Sequence, residues 1–201
     1  MEIEDYLGEN GFFAEDGSIY IRRLNEDDKE DFMRLKVDVS CIPKAYEIPS
    51  FYDFSWNDYL NGEDLVLCLI SKDSGKFLGV VMLKNLHDET QEIGIDIVRE
   101  FRNRGIGFQA ISLLLERAKE CSGKTRYQIR IYSDNIASQK LFNKFNITEI
   151  AHEDNEFIQV MKSFEKTIGS DYIANLKEQN QEMFEKAEKK YIALYELKIP
   201  F

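Results

Sequence analysis

Alternating and helical patterns of apolar residues follow one another along the first third of the chain. Residues 18–24 (SIYIRRL) alternate as a strand does, and Asn25 follows them as a candidate helix N-cap. The stretch from there to about residue 37 places Phe32 and Leu35 on one side, which predicts an amphipathic helix. Residues 40–62 show neither period, so we expect an irregular segment there.

The rest of the chain alternates strands with helices. The apolar runs 65–71 and 77–85 flank the turn KDSGK, which predicts a hairpin. The further elements predicted are a strand over 93–97, a helix over 108–121, a strand over 127–133, a helix over 135–145, strands over 147–151 and 157–163, a charged helical tail over 170–191 and a last strand in YIALYELKI.

This order predicts the α+β class, an α/β sandwich with a mixed, mostly antiparallel central sheet flanked by helices. A chain of 201 residues suits one domain with a short appendage. We expect a main domain over 1–164 and a C-terminal helical extension with a final strand over 165–201. The extension is expected to pack on the same domain or at a homodimer interface.

Charge and cysteine content narrow the function classes. The 37 acidic residues outnumber the 26 basic ones, giving a net charge of -11, which disfavours nucleic-acid binding. The scattered Cys41, Cys68 and Cys121 argue against a disulfide framework and a structural zinc site, and two histidines are too few for a convincing metal site. The acidic N-terminus and the lack of an apolar run of ~20 residues predict a reduced cytoplasmic protein without a membrane span.

The segment from Glu92 to Ala118 carries the chemistry. A strand runs into a loop with Gly105 and Gly107, and the loop opens a long amphipathic helix. The first N–H groups of a helix lack intrahelical partners and its dipole favours negative charge, so this turn predicts an anion site. The simpler alternative is a glycine loop that only caps the helix.

Two rival phosphate-binding motifs fail here. A GxxxxGK[ST] loop ending at Gly123-Lys124-Thr125 needs a glycine where Ala118 stands. A GxGxxG fingerprint from Gly105 needs a third glycine where Ala110 stands, and the strand before it follows a hairpin instead of opening a βαβ unit.

Two motifs carry a resemblance to a known family. Residues 102–107 (RNRGIG) match the [RQ]xxGx[GA] signature of the GNAT superfamily of N-acetyltransferases, and residues 133–142 (SDNIASQKLF) resemble its NxxSxxL segment. The chain is most similar to the branch that includes ribosomal-protein N-acetyltransferases. The resemblance implies a GNAT-like fold and transfer of an acetyl group from acetyl-CoA to a primary amine, either a small molecule or a protein N-terminus.

The resemblance also implies a donor site. The pantetheine arm should pair with the backbone of Ile95, Asp96 and Ile97, in a gap between two central parallel strands. The pyrophosphate should lie on the turn formed by Arg102, Asn103, Arg104, Gly105, Ile106, Gly107 and Phe108. Asn135 stands where relatives orient the pantetheine, although the same side chain could instead cap the next helix.

Catalytic roles follow from the same resemblance. Glu92 is the leading candidate for the general base, ahead of Asp96 and Glu153, and no metal is needed. Relatives often have a tyrosine that acts as the general acid where this chain has Phe142. Ser138 is therefore the candidate proton donor.

Two questions stay open at this level. The loss of the tyrosine favours an alternative function, a catalytically inactive acyl-CoA-binding sensor or interaction module. The six aromatic residues between Tyr46 and Tyr59 either line the acceptor site or form a satellite core.

Overall fold

A computed structural model describes residues 2–40 and 42–199. The chain forms two compact units, one built from residues up to 128 with the C-terminal end, and the other from residues 129–197. The predicted division at 164/165, which separates a main domain from its extension, stays a prediction. No helix in the described ranges is both long and apolar enough to cross a bilayer.

Eight strands and seven α-helices are assigned in the described ranges. The strands are β1 (Phe12–Glu15), β2 (Ile19–Arg23), β3 (Leu65–Ser71), β4 (Phe77–Lys84), β5 (Gln91–Ile97), β6 (Arg126–Tyr132), β7 (Ile147–Asp154) and β8 (Tyr191–Lys198). The helices are α1 (Lys29–Val39), α2 (Pro49–Asn61), α3 (Ile106–Ser122), α4 (Ile136–Phe142), α5 (Glu156–Ile168), α6 (Ser170–Gln179) and α7 (Gln181–Glu188). Short 3₁₀ turns include Glu26–Asp28, Pro43–Glu47 and Arg99–Phe101.

The sheet of the first unit is antiparallel from β1 to β5, in chain order. Strand β6 starts parallel to β5, with Gln91 opposite Tyr127 and Glu92 opposite Gln128. In the second unit the strand order is β6-β8-β7, and β7 and β8 pair antiparallel along their length. The predicted class, with a mixed and mostly antiparallel sheet, is therefore confirmed.

Helices cover both faces of the first unit's sheet. Helices α1 and α2 bury Phe32 and Trp56 against Val66 and Met82. Side chains alternate between the faces of a strand, so Leu65 and its neighbours two residues apart point to the opposite face. Helix α3 packs on β1, β2, β4 and β5 and buries a stripe of apolar residues at helical spacing. This arrangement fixes β5 between two packed layers.

Several sequence-based assignments are confirmed. The Asn25 side chain caps its turn by accepting the Asp27 N–H at 3.0 Å. The hairpin over KDSGK and the final strand are both present. Cys68 and Cys121 are free thiols, and Cys41 lies outside the described residues.

Two assignments are wrong, and β1 was missed. Residues 40–62 are not irregular, because α2 begins at Pro49. The expected strand over 157–163 lies inside α5, which starts where the Asn155 side chain accepts the Ile158 N–H at 3.2 Å.

Most of the aromatic stretch packs on the core, since Trp56 is buried in it and Tyr46, Tyr52 and Tyr59 are partly buried against it. The Trp56 side chain is 2% exposed, and its indole N–H donates to Glu26 Oε2 at 3.2 Å. Phe32 meets the rings of Trp56 and Tyr59 edge-on, at 5.8 and 5.0 Å. Phe54, by contrast, is 68% exposed. The satellite-core interpretation therefore describes most of these residues.

Gly79 sets the close approach of β4 to β5. Its φ is +148°, and a Cβ there would lie 2.2 Å from the Asp96 carbonyl oxygen and 2.9 Å from Ile97 Cα. A side chain at Gly79 would push away the end of β5 that leads into the turn over residues 102–107. We expect Gly79→Ala to lower the free energy of unfolding by roughly 3 kcal/mol or more, measured by urea denaturation.

Gly17→Ala is the control, because a Cβ at Gly17 meets nothing within 4 Å. It should change the stability by less than about 0.5 kcal/mol. Equal stabilities of the two variants would contradict the account of the β4–β5 contact.

Candidate functional site

One edge of β5 has no paired strand over most of its length in the part of the chain that the structure describes. Its pairing with β6 ends at Glu92, whereas its pairing with β4 continues to Ile97. The Val98 N–H donates to Leu78 of β4 at 2.9 Å, so even-numbered residues direct their backbone groups toward β4. The backbone groups of Ile95 and Ile97 therefore point to the open edge, and those of Asp96 do not.

The turn after β5 presents a row of free backbone donors. Within the described chain, no hydrogen bond is donated by the N–H groups of Asn103, Arg104, Gly105, Ile106 or Gly107. As α3 begins, the Gln109 N–H donates to the Gly105 carbonyl at 3.1 Å. Such a row at a helix N-terminus is typical of the places where proteins bind anions.

Two residues with positive φ shape this turn. Asn103 has φ 61° and Gly105 has φ 85°, with an extended Arg102 before them. Asparagine tolerates the left-handed region better than most residues, and glycine adopts it without cost. Residues 102–105 are exposed, and a Cβ at Gly105 would meet nothing within 4 Å. Within the described ranges the turn is open to solvent, so the residues present fit a diphosphate group.

The two arginines of the turn are in different situations. The Arg102 guanidinium donates from Nε to the Ile97 carbonyl at 2.8 Å and from Nη2 to Asp38 Oδ2 at 3.2 Å. Arg99 also contacts Asp38, at 3.3 Å. Arg104 forms no ion pair in the described chain and lies over the Phe101 ring at 5.6 Å. Its charge is the one left available to a ligand.

The carboxylates of β5 lie on the face covered by α1 and α2. Glu92 stands opposite Lys84 of β4, and its Oε1 accepts from the Lys84 ammonium at 3.1 Å. Only 11% of the Glu92 side chain is exposed. Asp64, at the start of β3, accepts the Asn85 N–H at 3.1 Å, and burial raises the pKa of its carboxyl more than this hydrogen bond lowers it. Glu92 therefore lies in a half-buried charged cluster.

Asp96 is engaged by α1. Its Oδ2 accepts from the Lys36 ammonium at 3.0 Å, and that ammonium also lies 4.7 Å from the centre of the Tyr59 ring. Burial alone would lower the pKa of Lys36, but Asp96 and Tyr59 raise it above its ordinary value. Lys36 thus stays charged, and the Asp96 carboxylate is held as its counter-ion.

The remaining predicted residues belong to the second unit. Asn135 caps α4, with its Oδ1 accepting the Ser138 N–H at 3.0 Å, so the capping role is observed. The Ser138 hydroxyl makes no hydrogen bond within the described residues. Phe142 is 3% exposed, and its ring centre is 6.4 Å from that of Phe145. Glu153 is paired with Arg130.

The first unit thus brings together the open edge of β5, the row of free N–H groups and the Glu92 carboxylate. Sequence reasoning missed the ion-pair partners of the charged residues here. Arg102 pairs with Asp38, Asp96 with Lys36 and Glu92 with Lys84. The loop between β4 and β5 leaves their register undetermined, so nothing local marks Lys84 as the neighbour of Glu92.

Several solved structures have the same fold as this chain. A domain from Methanocaldococcus jannaschii is 18% identical, with a TM-score of 0.62, and 90% of this chain covers 99% of that one. A spermidine N-acetyltransferase from Vibrio cholerae, solved with CoA and spermine, is 16% identical, with a TM-score of 0.59 over 70% of this chain and 87% of that one. The ribosomal-protein-S5-alanine acetyltransferase from Vibrio fischeri is 12% identical, with a TM-score of 0.57 over 71% and 86%.

At these identities the solved structures show the fold alone, and no curated protein matched the chain. The family rests on a different comparison. Residues 18–148, more than half of the chain, match the model of the acetyltransferase (GNAT) domain. This range contains both motifs on which the resemblance was based. The chain therefore belongs to the GNAT acetyltransferase family.

Proposed function

We propose that the protein is an N-acetyltransferase that transfers an acetyl group from acetyl-CoA to a primary amine, either a small molecule or a protein N-terminus. One observation carries the proposal: the row of free N–H groups from Asn103 to Gly107, which continues from the open edge of β5. Family membership supplies the reaction type. The amine class agrees with the named substrates of the two Vibrio enzymes.

The donor is proposed to bind along this surface in two parts. The N–H groups of the turn bind the diphosphate, and the helix dipole and the Arg104 guanidinium add positive potential. The backbone groups of Ile95 and the N–H of Ile97 form hydrogen bonds with the amide groups of the pantetheine arm. The backbone groups of Asp96 face β4, so they form no hydrogen bond with the pantetheine arm in this arrangement. The Asp96 side chain instead forms an ion pair with Lys36 of α1.

Proton transfers are assigned to two side chains. Acetyl-CoA supplies the acetyl group as a thioester, which is already activated for transfer. The Glu92 carboxylate is proposed to accept the proton of the amine, directly or through a water molecule. Lys84 neutralises the charge of Glu92 in its half-buried setting. The Ser138 hydroxyl is the proposed proton donor to the departing sulfur, since Phe142 has no proton to give, and the serine regains a proton from solvent.

A second function is favoured by one observation. Phe142 is buried and lacks the hydroxyl that many relatives have at this position. An acyl-CoA-binding module without turnover, acting as a sensor or partner protein, is the alternative that this change suggests.

A donor screen followed by an amine panel separates the two functions. Acetyl-CoA at 100 times its dissociation constant should raise the stability by about 2.7 kcal/mol, which is visible as a thermal shift. Release of free CoA with any amine of the panel supports the transferase. Donor binding with no release across the panel supports the binding module, and no shift with any acyl-CoA contradicts both.

The role of Glu92 predicts a specific kinetic defect. We expect Glu92→Gln to lower kcat by about 10²–10³-fold, because the amide cannot accept the proton, while the Kd for acetyl-CoA changes little. Glu15→Gln is the control, since Glu15 forms a similar ion pair with Lys72 at 3.0 Å on β1. A kcat of Glu92→Gln within about threefold of the wild type would rule out this base.

The cradle predicts a binding defect at Gly105. In Gly105→Val a β-branched residue must adopt φ +85°, which costs about 1–2 kcal/mol and reorients the neighbouring N–H groups. We expect the Kd for CoA, measured by calorimetry, to rise more than about tenfold, since the loss of even one charge-assisted hydrogen bond has this magnitude.

Gly75→Val is the matched control. Gly75 lies in the β3–β4 turn with φ +67°, and a Cβ there also meets nothing within 4 Å. The control should lose similar stability and keep its CoA affinity. Equal affinities of the two variants would show that the turn at Gly105 does not bind the donor.

A further inference from the structure

The Arg102 side chain connects three elements of the first unit. Its Nε donates to the carbonyl of Ile97, the last residue of β5, at 2.8 Å. Its Nη2 donates to Asp38, near the end of α1, at 3.2 Å. Its backbone, at the end of the 3₁₀ turn Arg99–Phe101, leads directly into the row of free N–H groups. One guanidinium therefore fastens this turn to both β5 and α1.

The hydrogen bond from Arg102 to the Ile97 carbonyl closes a short loop of the backbone. The six residues from Ile97 to Arg102 make a loop whose two ends are joined by this hydrogen bond. Asn103 then turns into the left-handed region, with φ 61°. The direction of the N–H groups from Asn103 onward therefore depends on where Arg102 is held.

Asp38 of α1 holds the other end of the Arg102 guanidinium. Its carboxylate accepts from Arg102 through Oδ2 and from Arg99 through Oδ1. Arg99 begins the 3₁₀ turn and Arg102 follows its last residue, so Asp38 fixes both of its ends. In contrast, Arg104 lies on the Phe101 ring and forms no ion pair in the described chain.

We propose that Arg102 is a positioning residue that braces the diphosphate cradle between β5 and α1, with Asp38 as its anchor. Arg104 then supplies the charge that faces the phosphates. The proposal rests on the proposed function, because it presumes that the cradle binds an acyl-CoA diphosphate.

A brace and a phosphate ligand respond differently to lysine. A lysine at 102 keeps the positive charge, but its single ammonium cannot reproduce the planar fork that donates to Ile97 and Asp38 at once. If Arg102 only supplied charge, Arg102→Lys would bind CoA as the wild type does. The brace predicts weaker binding, by about five- to tenfold in Kd, as expected for the loss of one hydrogen bond from a charged donor.

A substitution at Asp38 separates the brace from a simple charge effect, because the two predict opposite changes in the Kd for CoA. Asp38→Ala removes a negative charge near the cradle, which by charge alone should tighten the binding of a polyanion. The brace predicts the opposite, because Arg99 and Arg102 lose their common anchor. We expect the Kd for CoA to rise by about two- to fivefold, a modest change because this ion pair is partly exposed.

The test is calorimetric titration of the full chain with CoA for the wild type, Arg102→Lys, Asp38→Ala and two controls. Arg34→Lys and Asp31→Ala repeat both changes in an exposed ion pair of 3.2 Å on the same helix, and both should bind CoA as the wild type does. Melting temperatures are measured for every variant. If Arg102→Lys fails to fold, the sign of the Asp38→Ala effect decides the question.

The outcomes distinguish this proposal from the proposed function. A wild type that does not bind CoA overturns the proposed function, and the brace with it. A wild type that binds CoA, with Arg102→Lys equal to it or Asp38→Ala tighter than it, overturns the brace alone. Weaker binding by both variants, with the controls unchanged, supports the brace.

Discussion

Backbone N–H groups need acceptors, and five consecutive ones at the start of α3 have none within the described chain. Water satisfies such groups at low cost, and an anion that displaces the water gains from all of them and from the helix dipole. The positive φ values at Asn103 and Gly105 direct these groups toward solvent. The rest of the candidate site is arranged around this constraint, since β5 and α1 determine where the turn lies.

Strand β5 serves two purposes because its residues alternate. Its odd-numbered residues direct backbone groups to an open edge, which suits pairing with an extended ligand. Its even-numbered residues present carboxylates to the face under α1, where Lys84 and Lys36 neutralise Glu92 and Asp96. Gly79 of β4 permits the close approach that keeps both sets in register. A single strand can thus supply both donor contacts and a proton acceptor.

Local features of this site could be read from the sequence, and its long-range pairs could not. Gly105, Gly107 and the arginines lie in one short stretch, so the turn was predicted correctly and the start of the helix to within two residues. Asp38 lies 64 residues from Arg102, and no local pattern joins them. Helix α2 was missed because its aromatic residues face both the core and solvent, which hides the helical period. The strand assigned over 157–163 failed because the Asn155 cap was not recognised.

The central claim is that main-chain N–H groups of this turn bind a diphosphate. The most direct measurement is a ¹⁵N–¹H NMR titration of the full chain with CoA and with pantetheine, which lacks the diphosphate. The account predicts that CoA shifts the amide resonances of residues 103–107 strongly and that pantetheine leaves them nearly unchanged. Saturable CoA binding that leaves these five resonances in place would contradict it.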